Sequence, residues 1–255
     1  MTGDFVVRTP PGIWLLLAGL PLAWDFCRKS CEAFQSKSNL AYTCQMLILN
    51  AYKALFGLRH CIHGLENLPP GPKILTANHP NASDGLQLPL VILERVIAIV
   101  QESLFRLPLF GWILTHAGHI PVPPDNRRAA FEQACKVLSD GGCILIFPEG
   151  TLNPENRDIK PGTGAVRLSL VSGAPIIPVG IFVPARDTLR VGPVGKFQSG
   201  RWQFRGTFKV RVGRAWSPVL ETDCEQKPLE IQELTRCLMD KIKTLVQQSA
   251  QEESK

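Results

Sequence analysis

The chain reads Lys73-Ile74-Leu75-Thr76-Ala77-Asn78-His79-Pro80-Asn81-Ala82-Ser83-Asp84 close to the end of its first third. The apolar run predicts a buried strand that ends at Asn78, and Ser83 predicts the start of a helix. His79 and Asp84 then share one short connection, so we expect their side chains within hydrogen-bond reach. A carboxylate that accepts one ring N–H fixes the tautomer and leaves the other nitrogen free to take a proton. The stretch therefore predicts a general base and its orienting partner.

The same residues also have a structural interpretation. His-Pro is common in turns, and Ser-x-Asp is common where helices begin, with the serine as the cap. A single motif of this kind matches many unrelated proteins by chance. The catalytic interpretation therefore depends on the other segments of the chain.

Apolar runs and turn residues divide the rest of the chain into alternating strands and helices. Strands are predicted near residues 59–63, 73–77, 96–100, 119–122, 143–147, 176–182 and 205–213, and helices over 83–94, 103–116, 126–140, 162–172 and 229–248. This alternation predicts an α/β fold with a mixed central sheet flanked by helices. We expect the sheet to be mixed because short connections such as 118–124 cannot all hold helical crossovers.

Two further segments carry chemistry at the ends of predicted strands. In Cys143-Ile144-Leu145-Ile146-Phe147-Pro148-Glu149-Gly150-Thr151 an apolar run ends at Pro148, and the last three residues form a loop that can face a ligand. The segment Gly173-Ala174-Pro175-Ile176-Ile177-Pro178-Val179-Gly180 predicts a short buried strand interrupted by prolines. With the motif at 78–84, these segments in this order resemble the glycerolipid acyltransferases, which include the lysophosphatidic acid and glycerol-3-phosphate acyltransferases. The resemblance extends from about Gly64 to Gly180.

The resemblance implies a role for each motif residue. His79 would be the general base and Asp84 its partner, and an acceptor hydroxyl would attack an acyl thioester directly. The substrate-binding positions would be Asn78, Glu149, Gly150 and Thr151. Residues 118–122 would form the second of the family's motifs, and residues 147–151 the third. From the residues alone, Glu149 either holds a hydroxyl or orients a basic group, and Thr151 either bonds the acceptor or closes the turn.

The implied reaction moves a fatty acyl group from acyl-CoA or an acyl-carrier protein to the hydroxyl of a lysophospholipid or of glycerol 3-phosphate. Both donors are co-substrates, and we expect no metal or other cofactor. Two alternatives are a catalytically silent lipid-binding protein of the same fold and an acyl thioesterase. The sequence does not predict an oligomeric state.

The chain departs from the family pattern where phosphate recognition is expected. Leu152 stands where the third motif commonly has an arginine, which would suit bidentate binding of phosphate. In the second motif, Arg127 comes several residues later than the usual arginine. Lys160 is another candidate cation, at the predicted start of a helix. Each of these charges is equally explained as solvated surface.

A basic stretch follows the motifs. It contains Lys196, Arg201, Arg205, Lys209, Arg211 and Arg214 without an acidic residue, and its six charges equal the net charge of +6. Aromatic residues are interleaved with it, so the stretch predicts a hairpin with one charged face. The charge would suit nucleic acid, an anionic membrane surface, or only an ordinary strand with one solvated face. We favour a strand that meets a membrane surface, because no base-reading motif accompanies the charge.

The N-terminal region predicts a membrane-associating segment. The apolar run from Ile13 to Trp24 is shorter than the ~20 residues of a spanning helix, and residues 40–58 form an amphipathic pattern. Two such helices would dip into one leaflet on the cytoplasmic face, or would instead cover the core. The run is too poor in upstream charge and cleavage signals for a secretory peptide, so we expect it to be retained. The predicted organisation is residues 1–58 as membrane-associating helices, 59–250 as the α/β domain and 251–255 as a disordered tail.

The eight cysteines are scattered without paired Cys-x-x-Cys spacing. Several lie in apolar runs, so they are expected to be buried thiols in a reducing compartment. His60 and His63 flank Cys61, but this spacing does not form a recognisable metal site.

Overall fold

A computed structural model describes residues 40–92, 94–155, 157–191, 200–220 and 227–251. The helices are α1 (Leu40–Leu55), α2 (Asp84–Val91), α3 (Glu102–Phe105), α4 (Phe110–Ala117), α5 (Arg127–Ser139), α6 (Gly164–Ser172) and α7 (Lys227–Gln251). The strands are β1 (Arg59–His63), β2 (Lys73–Ala77), β3 (Val96–Gln101), β4 (Ile120–Val122), β5 (Cys143–Ile146), β6 (Ile176–Phe182), β7 (Thr188–Val191), β8 (Gly200–Gln203) and β9 (Thr207–Val212). The predicted helix at 13–24 lies outside the described residues, as does the predicted tail beyond Gln251.

Seven of the strands form one mixed sheet in the order β1-β9-β6-β2-β5-β3-β4. The five strands from β6 to β4 are parallel, whereas β9 is antiparallel to β6 and parallel to β1. The prediction of a mixed sheet flanked by helices is confirmed, but its reason was wrong. The connections between the parallel strands do carry helices, and the reversed direction enters only with β9 and β1.

Two apolar layers bury the sheet. Strand residues such as Ile74, Ile144 and Ile176 pack with helices α5, α6 and α7 on one face. On the other face Leu75 and Leu145 pack with Leu88 of α2. Because the parallel strands are covered on both faces, their sequences are continuous apolar runs rather than alternating ones.

Helix α7 crosses strand β6 at Gly180. A Cβ atom on this glycine would come within 2.6 Å of the Cβ of Leu245 and of the backbone nitrogen of Val246. Any other residue would therefore push the helix away from the sheet.

Helix α1 packs on the same unit as the sheet. It contacts α2 and α4, and its buried side includes Ala41, Met46 and Leu49. The described residues form one compact unit, so α1 lies within it. The division at residues 58 and 59 as a functional boundary stays a prediction. None of the described helices is long and apolar enough to span a membrane.

The predicted helix over 103–116 is two helices, α3 and α4, separated at Pro108. Proline removes a backbone donor and disfavours helical geometry in the residue before it. Leu109 follows with a positive φ of 60°, in a tight turn closed by the Phe110 N–H donating to the Pro108 carbonyl at 2.6 Å. The signal for this break, Pro108, was present in the sequence.

The predicted basic hairpin over residues 196–214 is wrong. Strand β8 pairs with β7 in a separate two-stranded sheet, whereas β9 joins the main sheet. The two strands of the basic stretch therefore do not pair with each other. Lys196 lies outside the described residues.

The expectation of buried thiols holds only in part. Among the described cysteines, Cys143 is buried, Cys44, Cys61 and Cys135 are half-buried, and Cys237 is exposed. Burial raises the pKa of the Cys143 thiol to about 12, so this thiol is unreactive at neutral pH.

Candidate active site

The predicted motifs meet at one edge of the sheet. Strands β2, β5 and β6 are parallel neighbours, so their carboxyl ends lie side by side. His79 follows β2 by two residues, and Glu149 follows β5 by three. In open α/β sheets this edge is where ligands bind.

His79 and Asp84 contact each other as the spacing predicts. Nδ1 of His79 lies 3.1 Å from Oδ2 of Asp84, which also accepts the Asn81 N–H at 2.8 Å. The carboxylate is fully buried, whereas the imidazole side chain is 19% exposed. The second ring nitrogen, Nε2, has no protein partner among the described residues and remains available to a substrate.

Burial controls the ionisation of Asp84. Removal from water raises the pKa of this carboxyl, and the contact with His79 and the Asn81 N–H oppose that rise. The other carboxyl oxygen, Oδ1, is buried without a partner among the described residues. A protonated imidazole beside Asp84 would compensate the buried negative charge, so the pair is suited to hold a proton taken from a substrate.

The loop after β5 holds the backbone of His79 from both sides. The His79 N–H donates to Oε2 of Glu149 at 3.1 Å, and the His79 carbonyl accepts the Asn153 N–H at 2.8 Å. The buried Asn153 amide in turn donates to Oε1 of Glu149 at 3.3 Å and to the Arg157 carbonyl at 2.9 Å. This arrangement fixes the main chain that carries the imidazole.

Phe147 supports the imidazole ring itself. The two rings stack with centroids 4.1 Å apart and planes inclined by 14°. The stack and the Asp84 carboxylate together restrict rotation of the His79 side chain. Burial raises the pKa of the nearby Glu149 carboxyl, and the His79 N–H opposes the rise.

Asn78 lies at the site, and its side chain bonds to the backbone of a neighbouring strand. Its amide donates to the Ile181 carbonyl at 2.9 Å and accepts the Ile181 N–H at 2.7 Å. Because Asn78 is buried and both ends of its amide are occupied, the structure gives it the role of joining β2 to β6. Its predicted contact with substrate stays a prediction.

Ser83 occupies the predicted cap position without capping the helix. Its hydroxyl bonds to Oδ1 of Asn81 and accepts the Gln203 N–H at 3.2 Å. The prediction of a side-chain cap is wrong, because the hydroxyl joins the turn at residues 79–83 to strand β8 instead. Gln87, also buried, donates to the same hydroxyl at 3.2 Å.

The remaining predicted substrate-binding residues lie in different places. Gly150 is exposed with a φ of 65°, so the turn after Glu149 requires a left-handed residue there. Thr151 is half-buried in the same loop. Arg127 is exposed at the start of α5, which follows β4, the third strand along from β2. Lys160 is exposed on the connection that leads to α6. The contacts of these residues with substrate stay predictions.

His119, the histidine of the second motif, has a structural role. Nδ1 of His119 accepts the Ala98 N–H at 3.0 Å, and Nε2 lies 2.9 Å from Oε1 of Gln45 in α1. Burial lowers the pKa of His119 to about 4, so the ring is neutral near pH 7. His119 therefore joins β3, β4 and α1 rather than the reaction site.

Sequence reasoning missed three residues of the site. Asn81 could have been found, because an asparagine in a short turn before a helix commonly bonds its own backbone. Phe147 and Asn153 had no local signal, since their contacts with His79 depend on which strands are neighbours.

Among the described residues, no group of three or more His, Cys, Asp or Glu side chains is placed to hold a metal ion.

Comparison with known proteins finds a match to one family. The model of the acyltransferase family, described as "Acyltransferase", matches residues 59–182, just under half of the chain. These residues are similar to an acyltransferase domain. Within this domain lie β1 to β6, the His79–Asp84 pair and the loop that holds His79.

Two similar proteins carry the name of an acyltransferase. The chain is 27% identical over 167 residues to the 1-acyl-sn-glycerol-3-phosphate acyltransferase of Pseudomonas aeruginosa, covering 64% of this chain and 61% of that protein. It is 32% identical over 137 residues to the enzyme of the same name from Haemophilus influenzae, covering 49% of this chain and 57% of that protein. The matches thus cover less than two thirds of these relatives.

The fold of the acyltransferase domain also occurs in a solved structure. The crystal structure of the 1-acyl-sn-glycerophosphate acyltransferase PlsC from Thermotoga maritima superposes with a TM-score of 0.56, covering 89% of this chain and 92% of that one. The sequence identity is 17%, so this likeness establishes the fold alone.

Proposed function

We propose that this protein is an O-acyltransferase that moves a fatty acyl group from an acyl thioester to the hydroxyl of a 1-acylglycerol-3-phosphate or of glycerol 3-phosphate. The observation that carries the proposal is the 3.1 Å contact between His79 and Asp84 at the carboxyl ends of the parallel strands, within the acyltransferase domain. The relatives' names supply the acceptor class.

His79 acts as the general base in this reaction. Nε2 takes the proton of the acceptor hydroxyl, and the hydroxyl oxygen attacks the thioester carbonyl carbon. An ester C–O bond forms, the C–S bond breaks, and the proton on the imidazolium passes to the leaving thiolate. Asp84 accepts the Nδ1–H throughout and stabilises the imidazolium while it exists.

The rigidity of the base supports the same proposal. The backbone of His79 is held by Glu149 and Asn153, and its ring is held by Phe147 and Asp84. General bases act most effectively when they are fixed within reach of the proton that they remove. A histidine with a purely structural role would not need Nε2 to be without a protein partner among the described residues.

We also propose that the protein associates with a membrane surface. Helix α1 exposes Leu47, Ile48 and Leu55, and the neighbouring helix α4 exposes Trp112 just after the exposed Leu109. Large exposed apolar side chains that lie together favour contact with lipid or protein. Replacing Leu47 and Ile48 by glutamate should lower co-sedimentation with anionic phospholipid vesicles, and unchanged binding would exclude this face.

Thiol release from acyl thioesters tests the transferase proposal directly. The full chain is assayed with acyl-CoA or acyl-carrier protein as donor, with and without a 1-acylglycerol-3-phosphate or glycerol 3-phosphate. We expect acceptor-dependent release that His79→Ala lowers by about 1,000-fold or more, in a protein that still unfolds cooperatively. His116→Ala is the matched control, because it removes the imidazole of an exposed histidine on α4.

Other outcomes would assign a different function. Release that does not depend on any acceptor would indicate a thioesterase. Saturable lipid binding without thiol release would indicate a silent binding protein. Undiminished release by the His79→Ala variant would refute general-base catalysis at this position.

A further inference from the structure

A small cleft opens directly beside the catalytic turn. Pro80 and Asn81, the two residues after His79, form one wall, and the rest is lined by Pro154, Val183, Ala185, Thr188 and Arg201. Its volume is about 40 Å³, more than one water molecule needs, and it opens to solvent. We name it the Arg201 cleft.

Strand β8 brings Arg201 to the catalytic turn through the backbone. The Ala82 N–H donates to the Arg201 carbonyl at 2.8 Å, and the Gln203 N–H of the same strand bonds the turn through Ser83. A Cβ atom on Gly200 would come within 3.0 Å of both Ala82 and Leu152. Strand β8 therefore lies against the His79 turn and against the position where the family pattern has an arginine.

The guanidinium of Arg201 is held only loosely. Its Nη1 lies 3.4 Å from Oγ1 of Thr188, which lines the same cleft. No carboxylate among the described residues forms an ion pair with Arg201. By contrast, neighbouring Arg205 is occupied by the Arg186 carbonyl and by Asp187.

Asn81 adds a second donor, for which the described residues supply no acceptor. It is buried, its Oδ1 accepts from the N–H and hydroxyl of Ser83, and its Nδ2 has no hydrogen-bond partner among them. An unpaired buried amide N–H₂ costs free energy unless a ligand or water satisfies it. The guanidinium that lines this cleft matches an anion with several oxygen acceptors, and the buried Asn81 amide beside it lacks an acceptor.

We propose that the Arg201 cleft binds the phosphate of the acceptor, so that Arg201 supplies the charge that Leu152 cannot. The proposal rests on the function proposed above. In a glycerol phosphate, only the short glycerol backbone separates the reacting hydroxyl from the phosphate. In acyl-CoA the long pantetheine arm separates the thioester from the nearest phosphate. A phosphate site formed by the residues next to the base therefore fits the acceptor and not the donor.

Arg201→Gln tests the cleft, with Arg214→Gln as its matched control. Both substitutions remove one positive charge from the same basic stretch. Arg214 is exposed and follows β9, which runs antiparallel to β6 and so ends at the opposite edge of the sheet from His79. For Arg201→Gln we expect the KM for the phosphorylated acceptor, 1-acylglycerol-3-phosphate, to rise about 10- to 100-fold, with kcat and the KM for acyl-CoA changed less than about twofold.

A neutral acceptor separates charge recognition from general damage. With 1-acylglycerol, which lacks the phosphate, Arg201→Gln should react as the wild type does, so the preference for the phosphorylated acceptor falls. Arg201→Lys keeps the charge without the planar fork and should be intermediate. If Arg201→Gln has a lowered Tm, an intermediate acceptor KM of Arg201→Lys distinguishes the loss of charge recognition from general damage.

A phosphorus NMR titration of glycerol 3-phosphate measures binding without turnover. Loss of binding in Arg201→Gln but not in Arg214→Gln supports the cleft even if the wild type transfers no acyl group, in which case only the proposed function fails. Equal acceptor KM values in wild type and Arg201→Gln, a rise confined to the KM for acyl-CoA, or unchanged binding of glycerol 3-phosphate would each overturn the cleft proposal.

Discussion

Replacing Asn78 by alanine should destabilise the protein and leave acceptor affinity unchanged. The resemblance to the family suggested a substrate contact for this residue, but its amide is bonded at both ends to the backbone of Ile181. Both residues are buried, so the N–H and the carbonyl of Ile181 cannot bond to water when the Asn78 amide is removed. The two roles therefore predict opposite results in two measurements.

The size of the effect follows from the two lost hydrogen bonds. Each buried backbone group left without a partner costs about 1–3 kcal/mol, so the free energy of unfolding should fall by about 2–6 kcal/mol. For a chain of 255 residues, 1 kcal/mol changes the Tm by about 2–4 °C. The Tm of Asn78→Ala should then lie roughly 4–24 °C below that of the wild type.

Thermal unfolding and the thiol-release assay measure the two quantities side by side. Asn126→Ala is the matched control, because Asn126 is exposed and its side chain accepts the Ala129 N–H at 3.2 Å. It should cost about 1 kcal/mol. An Asn78→Ala protein that melts with the wild type but needs much more acceptor to reach half-maximal rate would refute the structural assignment.

Three further predictions concern ionisation and the support of His79. Because burial raises the pKa of Asp84 above its ordinary 3.8, the free energy of unfolding should fall as the pH rises from 3.8 to the raised pKa, where only the unfolded state has already lost the proton. Asp84→Asn should therefore melt above the wild type at about pH 8 although inactive, and the gap should close toward pH 3.8; a constant gap would contradict this. Burial lowers the pKa of His119 from 6.5 to about 4, so the free energy of unfolding should fall by about 3 kcal/mol as the pH drops through that interval. In denaturant titrations of His119→Gln, the free energy of unfolding should depend less steeply on pH. Asn153→Ala loosens the backbone clamp on His79, so kcat should fall about 10-fold or more with little change in acceptor KM, and a pure KM effect would exclude the clamp.

Most of the main sheet was predictable because its strands are continuous apolar runs bounded by turn residues. Strands β1 to β6 and β9 lie where the pattern placed them to within about two residues. The short strands β7 and β8 were missed, since β8 lies in a charged stretch whose aromatic residues suggested a hairpin with β9. Pairing between strands is a property of the whole sheet, and local periodicity does not contain it.

The site divides in the same way. The contact between His79 and Asp84 is local, because five residues of chain, a proline and a helix start leave little freedom in their separation. The role of Ser83 was mispredicted for a related reason: its cap position is local, but its actual partner, the backbone of Gln203, comes from β8.

The sequence by itself determined the apolar strands, the turn between β2 and α2, and hence the pairing of an imidazole with a carboxylate. Only the tertiary structure decided what surrounds that pair. Phe147 and Asn153 reach the His79 turn because β5 is the neighbour of β2 in the main sheet. Arg201 reaches it because β8, in the separate two-stranded sheet, lies against the turn. The physical reason is range: contacts within a few residues follow from backbone geometry, whereas contacts between distant segments follow from the order in which buried strands pack.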